Sequence, residues 1–190
     1  MTAAHATARR AQLFDSVVGL FLAEGFAHLT LDDIAARLRC SKSTLYTLAA
    51  SKDDLVRSAA VHFFTSAAMR VDAASDAATG TRERLAAYLG AVGEALAPAS
   101  ERFMTDLADF EPSRLVYERN TAVAAERVRG IIDDGVRNGD VRDVHAAFVA
   151  DVAASVMVSI QNRSLLRRTG LDDAAAYREL ATLLTSGVAR

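Results

Sequence analysis

TLDDIAARLRCSKSTLYTLAASKDDL, residues 30–55, contains the signals that open three helices in quick succession. Thr30 precedes Asp33 by three positions, and Ser51 precedes Asp54 by the same interval, which is the spacing of a capping box. Between them, Ser41 is a further N-cap residue. Helices that begin so close together are short and joined by tight turns. The stretch therefore predicts a helix-turn-helix arrangement.

Apolar spacing predicts how the first two of these helices pack. The first helix is predicted over Leu31–Leu38, with Ile34, Ala35 and Leu38 facing inward. The second is predicted from Ser41 to near Leu48, with Leu45 and Leu48 on a shared inner face. The polar residues of the second helix are left on its outer face. They are Ser41, Lys42, Ser43, Thr44 and Thr47.

This outer face has the chemistry of a DNA-reading helix. Hydroxyl groups donate to and accept from base edges in the major groove, and a lysine reaches guanine or phosphate. Backbone N–H groups at helix starts also bind phosphate. Singly, each residue fits an ordinary cap or surface position, but their ordered combination favours DNA binding. The predicted DNA-binding residues are Thr30, Arg39, Ser41, Lys42, Ser43, Thr44, Tyr46, Thr47 and Lys52.

The segment resembles the DNA-binding segment of the TetR family of bacterial repressors. The matching residues are Thr30, Asp33, Ile34, Ala35, Ser41, Lys42, Thr44, Leu45, Tyr46, Ser51, Lys52 and Leu55, and the resemblance covers roughly residues 10 to 60. It implies an N-terminal helix-turn-helix module, a larger helical ligand-binding domain and a homodimer formed by the last two helices. It also implies a repressor of a pseudo-palindromic operator that a small molecule releases.

Three positions depart from the family pattern. Arg39 stands in the turn where glycine is common, and a non-glycine residue in a left-handed conformation costs about 1 kcal/mol. Ala49 stands where a large aromatic residue usually follows the recognition helix, and Ser43 where glycine is frequent. We therefore expect a differently shaped turn and an altered base preference. After the recognition helix we expect either looser packing or a gap filled by Leu48.

Composition predicts an all-α protein. The chain has 190 residues, 51% of them hydrophobic, only two prolines and abundant alanine. We predict a helix-turn-helix domain at residues 1–55 and a ligand-binding and dimerisation domain at residues 56–190. The net charge of −2 gives no overall attraction to DNA, so binding depends on charge distribution. Arg9 and Arg10 form either a DNA-contacting basic arm or a solvated tail.

The remaining helices are predicted from caps and breakers. The predicted spans are about Thr7 to Glu24, Ser51 to Met69 or beyond, Arg82 to Leu96, a short helix ending before Pro112, Ser113 to Gly139, Asp143 to about Arg168, and a last helix capped by Asp172. The small and polar segment from Asp72 to Thr81 is expected to be a linker.

Other features bear on location and chemistry. Apolar runs are interrupted by charges, so no membrane segment is expected, and the lone Cys40 favours a cytoplasmic protein. Cys40 itself is either a small buried hydrophobe or a redox-sensing thiol. Four scattered histidines and the lack of a glycine-rich phosphate loop favour a protein that is not an enzyme and needs no metal or cofactor.

The larger domain offers candidates for ligand binding and for dimerisation. Aromatic residues with a few polar anchors line helical-bundle pockets, although they fit a plain core equally well. The ligand candidates are His62, Phe63, Arg84, Tyr88, Phe103, Met104, Phe110, Tyr117, Met157 and Gln161. An apolar stripe on each of the last two helices fits either a two-fold four-helix interface or an internal core. The stripes are Ala146, Ala150, Ala153 and Met157, and Tyr177, Leu180, Ala181 and Leu184.

Together these patterns predict a dimeric, ligand-responsive regulator that binds double-stranded DNA, most often a repressor. The alternative is a helical ligand-binding or protein-interaction module without sequence-specific DNA binding, which the departures at Arg39 and Ala49 keep open.

Overall fold

The computed structural model describes residues 3–189, with side chains from Thr7 onward, and within them the chain forms ten helices and no strand. They are α1 (Ala3–Glu24), α2 (Leu31–Arg37), α3 (Lys42–Leu45), α4 (Lys52–Ala77), α5 (Thr81–Leu96), α6 (Glu101–Asp109), α7 (Glu111–Asn138), α8 (Ala146–Gln161), α9 (Ser164–Thr169) and α10 (Asp173–Gly187). The predicted all-α fold is confirmed. No described helix is both long and apolar enough to cross a membrane.

The first of two compact units comprises the described residues up to Phe64 together with Pro98–Tyr117. It contains α1 to α3, the first half of α4, α6 and the start of α7. Its centre is a cluster of aromatic rings: Phe26 contacts Phe21, Phe103 and Phe110 with ring centroids 5.5–5.9 Å apart. The pairs with Phe103 and Phe110 are edge-to-face, and such pairs stabilise a core beyond the area that they bury.

The second unit comprises Thr65–Ala97 and Glu118–Arg190, of which the structure describes residues up to 189. It contains the rest of α4 and α7, with α5 and α8 to α10. Helix α10 packs on α5, where a Cβ on Gly93 would lie 3.2 Å from the Tyr177 side chain, so the glycine permits the close approach. The division falls inside α4 and α7, and the boundary after residue 55 stays a prediction.

The expected linker from Asp72 to Thr81 is wrong, because α4 continues to Ala77. Asp72 and Asp76 lie one helical turn apart, and both form ion pairs with Arg127 of α7. Ser75 between them is fully buried. The polar residues suggested a loop, but here they pair across two helices.

The single long helix expected from Asp143 to Arg168 is also wrong. His145, and not Asp143, caps α8, since its Nδ1 accepts the backbone N–H of Phe148 at 3.2 Å. Arg163 adopts a left-handed φ of 59° and separates α8 from α9. Its guanidinium forms an ion pair with Asp173 at the start of α10, and this pair stabilises the turn between α8 and α9.

Three boundaries differ by a few residues. Helix α1 begins at Ala3 and not near Thr7. Helix α3 ends at Leu45 and not near Leu48, because the next residues continue as a turn in which Thr47 N–H donates to the Thr44 carbonyl at 3.1 Å. Helix α7 begins at Glu111 and not at Ser113. Pro112 lies in its first turn, where a missing N–H costs no hydrogen bond.

Candidate nucleic-acid interface

The predicted capping box opens α2. The Thr30 hydroxyl accepts the backbone N–H of Asp33 at 3.1 Å, and the Asp33 carboxylate accepts the backbone N–H of Thr30 at 2.8 Å. The hydroxyl also donates to this carboxylate at 2.6 Å. The side-chain hydrogen bond and then the backbone hydrogen bond from Thr30 lower the pKa of Asp33. The cap thus fixes the first helix of the motif in place.

A left-handed residue makes the turn between α2 and α3. Arg39 has a φ of 50°, and its N–H donates to Ala36 while the N–H of Cys40 donates to Ala35. These two bonds form the Schellman motif, in which this position is usually glycine. The turn has the ordinary geometry despite the departure from glycine, and the arginine is exposed.

Helix α3 is short and anchored by one buried side chain. The Ser41 hydroxyl accepts the backbone N–H of Thr44 at 3.2 Å, as predicted for an N-cap. It also lies 2.8 Å from the Ser43 hydroxyl and 2.7 Å from that of Thr44. Leu45 points into the core with 1% exposure. One rigid anchor therefore holds a helix whose other side is polar and open.

The exposed side of α3 carries most of the predicted DNA-binding residues. Tyr46 is 51% exposed, and its phenol is available to a partner. Ser41, Lys42 and Ser43 are exposed as well, while Thr44 is half-buried. The Thr47 hydroxyl donates to the Thr44 carbonyl at 2.6 Å.

Lys42 is engaged by an acidic residue of α2. Its ammonium donates to the Asp32 carboxylate at 3.0 Å, and this hydrogen bond, with the charge of Asp32, raises the pKa of Lys42. Both side chains are exposed. The pair therefore holds the lysine over the start of α2 and places a negative charge beside it.

Lys52 has a structural role that its sequence position does not reveal. Its ammonium donates to the Ala27 carbonyl at 2.9 Å and lies 5.7 Å from the centre of the Phe110 ring. Desolvation lowers the pKa of Lys52. The side chain thus braces the loop between α1 and α2 in this conformation.

Asp106 also holds this loop through hydrogen bonds, and the sequence pattern did not identify this residue. Its Oδ2 accepts the backbone N–H of Phe26 at 2.5 Å and of Ala27 at 2.8 Å. Asp106 is only 8% exposed, and the N–H of Ser100 donates to the Leu22 carbonyl at 2.8 Å beside it. Because Phe26 and Asp106 are 80 residues apart, no local spacing links them.

Six predicted ligand residues lie in the first unit. Phe63, Phe103 and Met104 are buried, and Phe63 packs against Phe103 at 5.5 Å. Phe110 and Tyr117 are half-buried. His62 is exposed and lies at the surface beside Asp15, with its ring edge-on to Phe14. These side chains form core and surface of the unit that carries the helix-turn-helix, and we did not expect them there.

The other four lie in the second unit. Tyr88, Met157 and Gln161 are buried, and Arg84 is half-buried. The Gln161 amide donates to the Tyr177 hydroxyl at 3.2 Å. Burial, reinforced by the charge of Asp72 and opposed by that of Arg127, raises the pKa of Tyr88 to about 12. The buried phenol of Tyr88 and the buried amide of Gln161 are thus both hydrogen-bonded within this unit.

The stripes predicted for a subunit interface are mostly packed inside the chain. Ala146, Ala150, Ala153, Met157, Tyr177 and Leu180 are all less than 9% exposed, since α8 and α10 pack against each other and α10 against α5. Of the two alternatives, the internal core accounts for these residues. Three other apolar side chains of the two helices are exposed: Phe148 at 67%, Val152 at 38% and Leu183 at 68%.

Metal ligands do not gather in the described part of the chain, where no three His, Cys, Asp or Glu side chains are placed to hold an ion.

Comparison with known proteins agrees with this geometry. Residues 13–59 match the family model of bacterial regulatory proteins of the TetR family. No curated protein matches the chain.

Solved structures with the same fold are distant in sequence. A transcriptional regulator from Saccharomonospora viridis, solved in complex with choline, has a TM-score of 0.80 at 18% identity, covering 97% of this chain and 99% of its own. A TetR-family regulator from Agrobacterium tumefaciens has a TM-score of 0.77 at 14% identity, with the same coverage. The ketosteroid regulator KstR2 of Mycobacterium tuberculosis has a TM-score of 0.66 at 19% identity, covering 96% and 95%.

The family model covers the helix-turn-helix segment, and the likeness in fold extends over nearly all of the chain. The helix-turn-helix segment at residues 13–59 is therefore of the TetR type, and over nearly all of its length the chain shares the fold of these solved regulators.

Proposed function

We propose that this protein is a dimeric repressor that binds a pseudo-palindromic DNA operator through α3 and is released by a small molecule. The observation that carries the proposal is the exposed polar face of α3, which a single buried leucine holds against the core. A short helix fixed in this way enters the major groove with its N-terminal side chains against base edges.

The side chains of α3 and its flanking residues have different roles in DNA recognition. Tyr46 is free to donate and accept at base edges, and the Ser43 hydroxyl, which lies 2.8 Å from that of Ser41, can form a further hydrogen bond there. Lys42, once released from Asp32, reaches a guanine or a phosphate. The hydroxyls of Thr30 and Ser41 are used within their caps, so these residues act mainly by positioning α2 and α3.

Two-fold assembly is proposed through the exposed sides of α8 and α10. Phe148, Val152 and Leu183 are large apolar side chains left in solvent on these helices. Burying them against a second copy removes apolar surface from water at about 25 cal/mol per Å². A dimer places two recognition helices about 34 Å apart, or a multiple of it, as a palindrome requires.

Ligand control is proposed to reach the DNA-binding module through α6. This helix belongs to the first unit, while α5 before it and most of α7 after it belong to the second. Asp106 of α6 holds the loop between α1 and α2. A ligand among Arg84, Tyr88 and Gln161 in the second unit would need only about 1–3 kcal/mol of coupling to change operator affinity.

The alternative, a module that does not read DNA sequence, is favoured by one observation: both lysines of the motif contact groups of their own chain. Lys42 binds Asp32 and Lys52 binds Ala27. On this alternative the two lysines stabilise the fold instead of binding DNA.

The test is selection of bound duplexes from a random pool, followed by affinity measurements on the selected sequence over a salt series. We expect a two-fold symmetric sequence and a steep salt dependence. Tyr46→Ala and Lys42→Gln should each weaken specific binding by about tenfold or more, which corresponds to roughly 1–3 kcal/mol. The matched control is Arg129→Gln on α7, which should leave it unchanged. If no sequence is enriched and the variants bind like the wild type, the protein is the alternative module.

A further inference from the structure

A crevice of about 530 Å³ lies between α1, the residues that follow α3 and the first turns of α4. Its lining residues are Thr7, Arg10, Ala11, Phe14, Leu48 and Ser58, and none of these is among the residues predicted to bind DNA. Of the two outcomes expected after the recognition helix, looser packing accounts for this opening, because Leu48 lines the crevice and does not fill it. The volume lies within the ~300–1,000 Å³ of small-molecule sites.

An aromatic ring forms part of the floor of this crevice. Phe14 is half-buried, and the ring of His62 packs edge-on against it, with centroids 5.3 Å apart and an interplanar angle of 83°. This contact restricts the orientation of the Phe14 ring. Ala11 and Leu48 add aliphatic surface beside it. The floor favours a planar aromatic group, because rings that pack on one another gain more than the area that they bury.

A single cation stands among the described residues that line the crevice. Arg10 is exposed, and its Nε donates to the Thr47 carbonyl at 3.0 Å, which holds the side chain between α1 and the end of α3. A guanidinium has several further N–H donors on its terminal nitrogens. Arg10 forms no ion pair within the described part of the chain, and no described lining residue carries a carboxylate. A guanidinium held in this way matches the carboxylate of a ligand.

We propose that this crevice binds a small aromatic carboxylate. The ring of the ligand lies on Phe14, beside Ala11 and Leu48, and its carboxylate accepts hydrogen bonds from the terminal nitrogens of Arg10. The site therefore selects a ligand on two properties at once, an aromatic ring and a negative charge.

The ligand would bear on the recognition helix, because Arg10 is bonded to Thr47 and Leu48 follows it in the chain. Both residues lie directly after α3. A carboxylate bound to Arg10 adds a second partner to the guanidinium that holds this segment, and operator affinity should change when the crevice is filled. This consequence rests on the proposed function, whereas binding of the ligand does not.

Calorimetry on the full chain tests the site with naphthoate as probe. The matched ligand is naphthalenemethanol, which has the same rings without the charge. Naphthoate should bind, and Arg10→Gln should bind it about tenfold more weakly, because hydrogen bonds to a charged group are lost. The alcohol should bind about tenfold more weakly than naphthoate to the wild type for the same reason. The matched control is Arg9→Gln, an exposed change at the neighbouring arginine, which does not line this crevice and should bind naphthoate like the wild type.

A second variant fills the crevice without touching the arginine. Ser58→Trp places an indole at an exposed lining position and should abolish binding of both ligands. Thr65→Trp, at an exposed position further along α4 that does not line the crevice, should bind naphthoate like the wild type. If naphthoate does not bind the wild type, or if Arg10→Gln and Ser58→Trp bind it as their controls do, the proposal is overturned.

The link to DNA binding is measured separately on the selected duplex. Saturating naphthoate should change the operator affinity of the wild type and leave that of Ser58→Trp unchanged. An operator affinity that naphthoate does not alter in the wild type would overturn this link. If the wild type binds no duplex at all, the proposed function fails, and calorimetry alone decides the inference.

Discussion

Asp106 accepts the backbone N–H of Phe26 at 2.5 Å, and this bond joins α6 to the loop that leads into the helix-turn-helix. The same oxygen accepts the N–H of Ala27. Two buried or partly buried backbone donors thus depend on one carboxylate. From the other side, Lys52 donates to the Ala27 carbonyl. The placement of α2 and α3 relative to α1 therefore depends on Asp106, which lies outside the helix-turn-helix sequence, as well as on Lys52 within it.

Asp106→Ala should destabilise the protein by about 2–4 kcal/mol, because it leaves two backbone N–H groups without an acceptor, and each buried unsatisfied group costs about 1–3 kcal/mol. Asp106→Asn keeps an acceptor oxygen and should lose less. Urea unfolding measures both. Asp109→Ala, an exposed change on the same helix, should stay within about 0.5 kcal/mol of the wild type. Equal losses of stability for the two alanine variants would show that the hydrogen bonds accepted by Asp106 do not stabilise the protein.

Gly25→Ala should be strongly destabilising, by about 2 kcal/mol or more. Gly25 has a φ of +76°, where a side chain costs about 1 kcal/mol or more. A Cβ there would lie 2.6 Å from Asp106 Oδ2 and 2.7 Å from Arg102 Cγ. The oxygen is held by its two hydrogen bonds and cannot move without losing them.

Gly19→Ala is the matched change, because Gly19 lies inside α1 with nothing within 4 Å of an added Cβ. Alanine in a helix interior is favoured over glycine by about 0.5–1 kcal/mol. Thermal unfolding should therefore move the two variants in opposite directions. A stability of Gly25→Ala equal to that of the wild type would show that the loop relaxes freely.

Asp32→Asn should strengthen DNA binding about two- to fivefold at low salt. The substitution removes the exposed ion pair between Lys42 and Asp32. Exposed ion pairs stabilise a protein by about 0.2–1 kcal/mol. The substitution also removes a negative charge from the α2 start. Asp109→Asn changes the net charge equally without a lysine partner and serves as control. Fluorescence anisotropy on the selected duplex measures both, and equal affinities would show that the Lys42–Asp32 pair does not compete with DNA.

Local signals predict the DNA-binding segment well. Thr30, Ser41 and Ser51 can be identified as caps because the hydrogen bonds that they form span three residues. The left-handed conformation at Arg39 contradicts the expected change in the shape of the turn, although the hydrogen bonds that form this turn are also local. Interactions of this kind depend on neighbours in the chain, and spacing is enough to find them.

Interactions between distant residues escape the same reasoning. The Asp72–Thr81 segment is polar, and only the position of Arg127 on another helix shows that its acids belong in a helix. The Ala146 to Met157 stripe fits both an internal core and a subunit interface, and the choice depends on where α10 packs. Side-chain type alone does not distinguish these outcomes, since burial is set by the partner.

Tyr88 makes the stability of the second unit depend on pH in the alkaline range. Its pKa is raised from 10.0 to about 12, chiefly because burial disfavours the phenolate and also because Asp72 is near. The folded state therefore holds the proton more tightly than the unfolded state. The contribution is fully present below pH 10 and is lost as the pH rises towards 12.

Tyr88→Phe should remove this dependence. Between pH 10 and 12 the wild type should lose up to about 1.4 kcal/mol of unfolding free energy per pH unit from this group, or about 3 kcal/mol in all, and the variant should not. The hydroxyl lies 3.5 Å from the Ala124 carbonyl, so its removal costs little at neutral pH. Tyr117, whose pKa burial also raises, is present in both proteins and cancels from their difference. Urea unfolding at intervals from pH 8 to 11.5 measures that difference, and parallel curves would show that the Tyr88 phenol ionises as it does in the unfolded chain.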